Sequence, residues 1–310
     1  MCAAWTAAPT VGAYDDLRSE MSGIYPSQFS ISLNADTLDP MLIRILAALT
    51  LVAIPQIATA QFRPVAAEVA VGEKYHIEAA YGWWDAQPEL IVNSESLGIL
   101  GTDVDLINDL GIEKRRLGKF NVVLRPATKH RLKFERLPIS YERDSFPVQR
   151  SFIFNGQSYS VGLPVTTSVD FTTYSFGYEY DFLYFPRGFI GANINMKLTN
   201  IDVDLRSPIG SEFFQQGAPI PAVGFAGRGY ITKNFAVDGE FTFFRIPESL
   251  EEQLDGDGSY NDFDIHGTYN INNYIGAQLG WRKTTIFYEA EFDRGDLKFS
   301  GIYFGGVVRY

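Results

Sequence analysis

The most constraining feature of this sequence is an alternation of apolar and polar residues with a period of two, which recurs from residue 75 to residue 310. Successive side chains of a β-strand point to opposite faces, so each such segment predicts a strand with one apolar and one polar face. Residues 261–271 show the pattern most clearly, because aspartate, histidine, threonine and asparagine occupy the even positions. The odd positions of one face hold Phe263, Ile265, Gly267, Tyr269 and Ile271.

Ten segments carry this alternation, and long and short connections follow one another between them. The short connections include residues 126–129, 185–188, 233–234 and 272–273, and the long ones include residues 205–221 and 246–260. An even number of strands joined in this way predicts an antiparallel up-and-down barrel. The segments are residues 75–84, 119–125, 130–141, 172–182, 189–204, 222–231, 235–245, 261–271, 274–287 and 297–310.

The polarity pattern alone does not say which face of the barrel points outward. A soluble barrel such as a lipocalin places its apolar face inside, whereas a barrel in lipid places it outside. The transmembrane interpretation is favoured by the terminal aromatic strand, by an export signal and by aromatic residues at strand ends, which suit the interfaces of a bilayer. These strand-end aromatics are Trp83, Tyr180, Phe182, Phe189 and Trp281.

We therefore predict an all-β transmembrane antiparallel barrel of about ten strands, with eight or twelve as alternatives. Pro138 lies inside the third segment beside Arg136, which predicts a bulge or an early exit from the bilayer. Residues 150–161 read as a short hairpin around Asn155-Gly156, above the membrane; if it inserted, the count would be twelve. Residues 102–111, from Thr102 to a terminal glycine, predict a short helix over the barrel mouth.

The longest apolar run, residues 41–60, predicts a secretory signal peptide. Arg44 precedes a short apolar core, and Ala58 and Ala60 form a cleavage site before Gln61. Pro55 and Gln56 interrupt the run, which is too short for a transmembrane helix. Because a signal peptide begins a translated chain, we interpret Met41 as the true start and residues 1–40 as a disordered, misannotated extension. The barrel domain then comprises residues 61–310.

Composition excludes several function classes for residues 61–310. The only cysteine of the chain is Cys2, so no disulfide, cysteine metal site or cysteine nucleophile is expected after residue 60. The chain has 26 basic and 37 acidic residues, of which two and five precede residue 61, leaving a net charge of −8. This charge is no footprint for nucleic acid, which calls for a basic patch.

The signal peptide, the alternating strands and the terminal residues Phe304, Val308 and Tyr310 together resemble the outer-membrane β-barrel proteins of Gram-negative bacteria, the outer-membrane-protein β-barrel domain family. The resemblance covers residues 61–310. It implies an outer-membrane location, contact with lipid and lipopolysaccharide, and reading of the terminal strand by the barrel-assembly machinery. Members of this family include pores, enzymes, adhesins and structural barrels, so the resemblance does not specify a function.

The polar face of the strands predicts a lumen in which basic and acidic groups nearly balance. Such charges are tolerated in a confined interior when they pair, which favours a salt-bridged and largely plugged barrel. Arg309 belongs to the same face. The candidate lumen-lining residues are Glu78, Arg125, Arg131, Lys133, Glu135, Glu179, Asp181, Lys197, Arg228, Asp238, Glu240, Asp262, Asp264, His266 and Arg282.

Catalytic and metal motifs are weak in this sequence. His266 shares its face with Asp262 and Asp264, which could act as a base and an orienting group, but a histidine satisfied within a polar lumen is the favoured interpretation. Residues 255–262 resemble a calcium loop but lack its terminal glutamate, which favours a flexible acidic loop.

We expect no catalytic residue, cofactor or metal, and a monomer. The favoured role is structural, or surface or ligand binding through long extracellular loops. The alternatives are a narrow porin-like channel for small solutes and, last, an outer-membrane hydrolase or protease.

Overall fold

The computed structural model of this chain describes residues 69–96, 99–247, 249, 256–290 and 293–310. Thirteen strands occur in this part of the chain, and ten of them form one closed antiparallel sheet. The predicted all-β up-and-down barrel is confirmed, with ten strands rather than eight or twelve. The strands are β1 Ile77–Ser94, β2 Val104–Asp105, β3 Arg115–Ala127, β4 His130–Pro147, β5 Phe152–Phe154, β6 Gln157–Tyr159, β7 Pro164–Phe185, β8 Gly188–Ser207, β9 Gly210–Tyr230, β10 Phe235–Arg245, β11 Gly256–Asn270, β12 Ile275–Ala290 and β13 Asp293–Arg309.

The barrel closes because β13 pairs with β1 along almost its whole length, from Glu78↔Arg309 to Ser94↔Asp293. Each remaining barrel strand pairs with its neighbour in chain order, once the short strands β2, β5 and β6 are left aside. Closure leaves no free sheet edge in the half of the barrel where every neighbouring pair is formed, which is the usual way in which a barrel avoids edge-to-edge association. The described part of the chain contains no helix long and apolar enough to span a bilayer.

One end of the barrel, which we call the turn end, carries four short connections: residues 128–129, 186–187, 231–234 and 271–274. The strands extend furthest toward the opposite end, which we call the loop end, and the longer connections also lie there. The predicted long loop at residues 205–221 is wrong, because these residues form the ends of β8 and β9 around a turn at 208–209. The predicted loop at residues 246–260 is shorter than expected, because β11 begins at Gly256.

The strands change polarity partway along their length, and β8 shows this best. In its first half, the outward positions Ile190 to Leu198 are apolar and the inward positions Asn193 to Thr199 are polar. In its second half the pattern inverts, with Ile201, Val203 and Leu205 buried inside. The outward residues there are Asn200, Asp202, Asp204 and Arg206.

The loop-end half of the barrel is built around an apolar core. Pairing of β3 with β4 stops at Phe120↔Arg136, and pairing of β9 with β10 stops at Phe243↔Val223. Beyond those points the wall consists of two groups of strands that face each other across buried side chains. Phe299 of one group lies 5.6 Å from the ring of Phe171 in the other, and the Tyr141 hydroxyl donates to the Ala86 carbonyl at 3.3 Å.

Pro138 does not produce the predicted bulge, and the alternative, an early exit from the bilayer, stays a prediction. It lies beyond the last β3–β4 pair and opposite Thr172 of β7, where β4 continues without interruption. The irregularity in β4 falls instead between Arg143 and Phe146, where Ser145 has a φ of 45°. Strand β4 therefore tolerates the missing N–H of Pro138 at a position where its β3 edge is open.

The loop-end connections contain one confirmed and one wrong prediction. The hairpin of residues 150–161 forms as β5 and β6, outside the barrel wall, with Asn155 and Gly156 at φ 49° and 78°. The predicted helix over residues 102–111 is wrong: strand β2 precedes hydrogen-bonded turns. The Asp105 carboxylate, not Thr102, accepts the backbone N–H of Ile107, because β2 holds the preceding residues extended against β1.

The predicted signal peptide, the start at Met41 and the extension at residues 1–40 lie outside the described residues.

Candidate functional site

The lumen of the turn-end half is the richest concentration of charged side chains in the described structure. The fifteen residues expected there, and Arg309, all lie on the inner face of the barrel, and most are buried. Lys133, Glu135, Glu240 and His266 are the more accessible members, with Glu240 the most exposed at 33%. Among the described residues, no group of histidine, cysteine or acidic side chains could hold a metal ion.

Four buried arginines converge at the turn end of the lumen: Arg125, Arg131, Arg228 and Arg309. The Arg131 guanidinium donates to Glu179 at 2.8 Å and lies 3.5 Å from the centre of the Phe189 ring. Glu78 accepts from two further arginines, Arg228 and Arg309. The prediction that Phe189 belongs to an outer aromatic belt is wrong, because its ring points inward and stacks on a cation; Trp83, Tyr180, Phe182 and Trp281 are exposed on the outer face.

A second cluster crosses the middle of the lumen around Arg282. Its guanidinium donates two hydrogen bonds to Glu135 of β4, at 2.7 and 2.9 Å, and two to Asp262 of β11, at 2.7 and 2.9 Å. Asp262 also lies 3.5 Å from the Lys197 ammonium on β8. Such bidentate pairs are the strong form of a charged hydrogen bond, so this cluster ties three separate parts of the wall together.

His266 lies between carboxylates inside the same lumen. Its Nδ1 is 2.8 Å from Asp264, and its Nε2 is 3.6 Å from Asp238. Asp264 in turn accepts from the Tyr303 hydroxyl and from the Lys119 ammonium, each at 2.7 Å. The carboxylate expected to orient a catalytic imidazole is thus already held by two other donors.

Glycines opposite these groups make room for them. A Cβ atom on Gly280 would approach the Cβ of His266 to 2.5 Å and the Tyr303 ring to 2.7 Å. The close contact of His266 and Tyr303 around Asp264 therefore requires glycine on β12.

A polar cavity of about 130 Å³ remains between the two clusters. Its lining includes Lys119, Lys133, Glu135, Glu240 and His266. A space of this size and polarity is suited to several water molecules.

The loop end of the lumen is filled by apolar side chains. Trp84, Tyr141 and Phe299 are fully or almost fully buried there, together with residues of the connections, among them Leu106 and Phe154. Burial raises the pKa of the Tyr141 hydroxyl above its usual range. The apolar core therefore stands between the ionic lumen and the loop end.

Sequence reasoning missed several members of the lumen. Lys119 shares the parity of Arg125 on β3, and this spacing could have identified it. Glu73 precedes the first strand, so no alternation marked it, yet it is fully buried beside Arg125. The terminal residues Phe304, Val308 and Tyr310 are exposed on the outer face, where their role as an assembly signal stays a prediction.

The predicted acidic loop at residues 255–262 is instead part of strand β11 from Gly256 onward, and Asp262 points into the lumen.

The barrel is similar in fold to outer-membrane proteins of known structure. It matches the outer-membrane protease OmpT of Escherichia coli with a TM-score of 0.50 and 9% sequence identity, over 76% of this chain and 96% of that one. Weaker matches are the attachment invasion locus protein Ail of Yersinia pestis, with a TM-score of 0.34 and 6% identity over 76% and 99% of the two chains, and the toluene transporter TodX of Pseudomonas putida, with a TM-score of 0.32 and 8% identity over 76% and 90%. No protein-family model and no curated protein matches the sequence. The fold is that of an outer-membrane β-barrel.

Proposed function

We propose that this protein is an integral outer-membrane β-barrel with a closed lumen, and that its role is structural or lies in binding at the cell surface. The observation that supports this is the inversion of polarity along the strands. In the turn-end half, large apolar side chains are exposed on the outside: Leu198 at 47%, Phe225 at 58% and Leu279 at 63%. A belt of this extent is suited to lipid, because soluble proteins rarely expose large contiguous apolar surface.

The strand lengths support an extracellular half beyond the bilayer. Strand β7 has 22 residues, although about 9 to 11 tilted residues cross a membrane. Short turns face the periplasm and longer connections face outward in barrels of this kind. The loop-end half, with its polar exterior and apolar core, is accordingly assigned to the cell surface.

Two successive barriers favour a closed lumen over a porin-like channel. Ion pairs link opposite walls in the membrane half, as between Lys133 of β4 and Glu240 of β10 at 2.6 Å. Above them lies the apolar core, whose described side chains offer no polar path for a hydrated solute. The surface half is therefore the part that can present a binding face, formed by the β8–β9 hairpin and by the β5–β6 hairpin.

The proposed role is not enzymatic. The His266 imidazole lies below the apolar core, so a surface substrate has no route to it in this arrangement. The proposed partners are outer-membrane lipid and lipopolysaccharide, and the barrel-assembly machinery during insertion. Because the sheet is fully paired around the membrane half, the proposed state is a monomer.

Conductance across a planar bilayer tests the closed lumen. We expect the purified protein to insert into the bilayer without discrete, steady channel openings. Such openings from the purified protein would contradict the proposal. Membrane location is tested separately, because the protein should require detergent for extraction and should fractionate with outer membranes. Recovery as a freely soluble periplasmic protein would overturn the assignment.

A further inference from the structure

Residues 70–75, which we call the strap, run across the turn end of the barrel. The strap is held by its backbone at three of the four short turns. Ala70 N–H donates to the Pro186 carbonyl at 3.4 Å, and Val71 N–H donates to the Lys233 carbonyl at 2.9 Å. Gly72 N–H donates to the Asn273 side chain at 3.0 Å. The strap thus connects elements that are far apart in the sheet.

The strap reaches the fourth turn through Arg125. One nitrogen of this guanidinium donates to the Glu73 carbonyl at 2.7 Å and to the Glu73 carboxylate at 3.3 Å. Its other nitrogens donate to the Thr128 carbonyl at 2.9 and 3.2 Å. Arg125 therefore clamps the strap to the turn between β3 and β4.

Glu73 carries the only carboxylate of the strap to a position beside Arg125 and Arg228. Its side chain is completely buried, and its second oxygen has no hydrogen-bond partner among the described residues. That oxygen lies 4.0 Å from Nη1 of Arg228, which also lacks a partner among the described residues. The Glu73 carboxylate accepts from Arg125 at 3.3 Å, whereas Glu179 and Asp181 accept from Arg131 at 2.8 and 2.5 Å, so Glu73 is held more loosely than these two acids.

Gly72 shapes the strap at the point where it enters the barrel. Its φ of 80° is a left-handed conformation, and a Cβ there would approach Arg309 to 2.7 Å and Asn270 to 2.9 Å. Any other residue would be strained by both the backbone and the contact. The strap fits its seat only with glycine at this position.

We propose that the strap is a lid over the lumen at the turn end, and that Glu73 is a tethered anion which occupies the site that small anionic solutes take when the lid opens. Displacement of Glu73 removes the single carboxylate that pairs with Arg125 among the described residues. The opening then leaves the Arg125 guanidinium without an ion pair within 4 Å among the described residues, so we expect this position to attract an anion over a cation. The inference concerns the turn end alone, and it holds whether or not the loop end conducts.

Thiol labelling of the lumen tests the lid on the full chain in detergent. Ser175 lies on the lining of the polar cavity and is 6% exposed, so Ser175→Cys places a nearly isosteric probe there. Cys2, the only native cysteine, is replaced by serine in every variant. The probes are two methanethiosulfonate reagents of similar size, one carrying a sulfonate and one a trimethylammonium group.

Two independent changes should open the lid. Glu73→Gln removes the charge, and Gly72→Ala keeps the carboxylate but displaces the backbone. We expect either to accelerate labelling by the anionic reagent by about tenfold or more, which corresponds to about 1.4 kcal/mol. In Glu73→Gln the anionic reagent should also react faster than the cationic one.

Matched controls are Glu89→Gln, at an exposed acid of β1, and Gly239→Ala, at a wall glycine with open space around its Cβ position. Both should label as slowly as the parent. Equal labelling rates in the parent, Glu73→Gln and Gly72→Ala would overturn the lid, and faster labelling of Glu73→Gln without an anionic preference would overturn the anion site. If one variant fails to fold, the labelling rate of the other variant decides. The absence of channel openings in the parent protein tests the closed lumen of the proposed function, and its result is independent of the labelling result.

Discussion

Replacing Arg282 with methionine should destabilise the barrel strongly, because among the described residues this side chain alone hydrogen-bonds to both Glu135 and Asp262. Methionine keeps much of the volume but removes four charged hydrogen bonds. Asp262 retains Lys197 at 3.5 Å and the Thr284 hydroxyl at 3.0 Å. Glu135 has no other ion pair within 4 Å among the described residues, so it would lose its hydrogen-bonded partner and keep only the longer-range attraction of Lys119 and Lys197.

Breaking one partner of a buried ion pair typically costs about 3–5 kcal/mol, most of it from the charge left behind. The double variant Arg282→Met, Glu135→Gln removes one charge of each sign and leaves no orphaned carboxylate on β4. We therefore expect it to recover about half or more of the lost stability, whereas additive, independent effects would make it worse than the single variant.

The measurement is the free energy of unfolding in urea, with the protein in lipid vesicles and tryptophan fluorescence as the signal. Glu89→Gln serves as the control, since its exposed carboxylate has no lumen partner. If Arg282→Met lay within about 1 kcal/mol of the parent, the ordinary effect of a point substitution, the reasoning that paired charges hold the lumen together would be refuted.

Three further outcomes are expected. Phe299→Ala should cost about 3–5 kcal/mol in the same unfolding assay, because the ring is completely buried between Phe171 and Tyr141; a cost like that of an exposed residue would contradict the apolar core. Burial raises the pKa of the Asp293 carboxyl, so the folded state binds this proton more tightly than the unfolded chain and stability falls as pH rises through that range. Asp293→Asn should therefore exceed the parent in stability at pH 7 and lose this advantage below about pH 3.9, as urea titrations at the two pH values would show. Tyr310→Ser should reduce the amount of protein assembled in outer membranes while leaving the urea midpoint of the inserted fraction nearly unchanged, and a normal assembled amount would argue against an assembly signal.

The number of strands and their order could be predicted because each segment of period-two alternation corresponds to one strand, and successive strands of an up-and-down barrel are neighbours in the sheet. The loop-end half was harder, since on β8 the apolar residues move from even positions up to Leu198 to odd positions from Ile201. The predicted segment 189–204 already includes this phase change. Residues 205–221 read as a loop because Pro208, Gly210, Pro219 and Pro221 are typical of turns and interrupt the alternation.

The lumen network could be predicted in its members but not in its connections. The inward parity of β4 and β12 places Glu135 and Arg282 on the inner face, yet only the shear of the closed barrel brings them within 2.7 Å. The burial of Glu73 in the lumen could not be predicted from the sequence, for a different reason. It belongs to no strand, and its burial depends on contacts with turns that are distant in the chain.

The parity change on β8 has a consequence for how deep the barrel sits. Sliding the protein outward would expose Ile194 and Met196 to water, and sliding it inward would drag Asp202 and Asp204 into acyl chains. Both movements are unfavourable at β8. The depth of the barrel in the bilayer is therefore set by the boundary between Leu198 and Asn200 rather than by the size of the loops. We expect the immersion depth to survive exchange of the surface hairpins, provided that this boundary is kept.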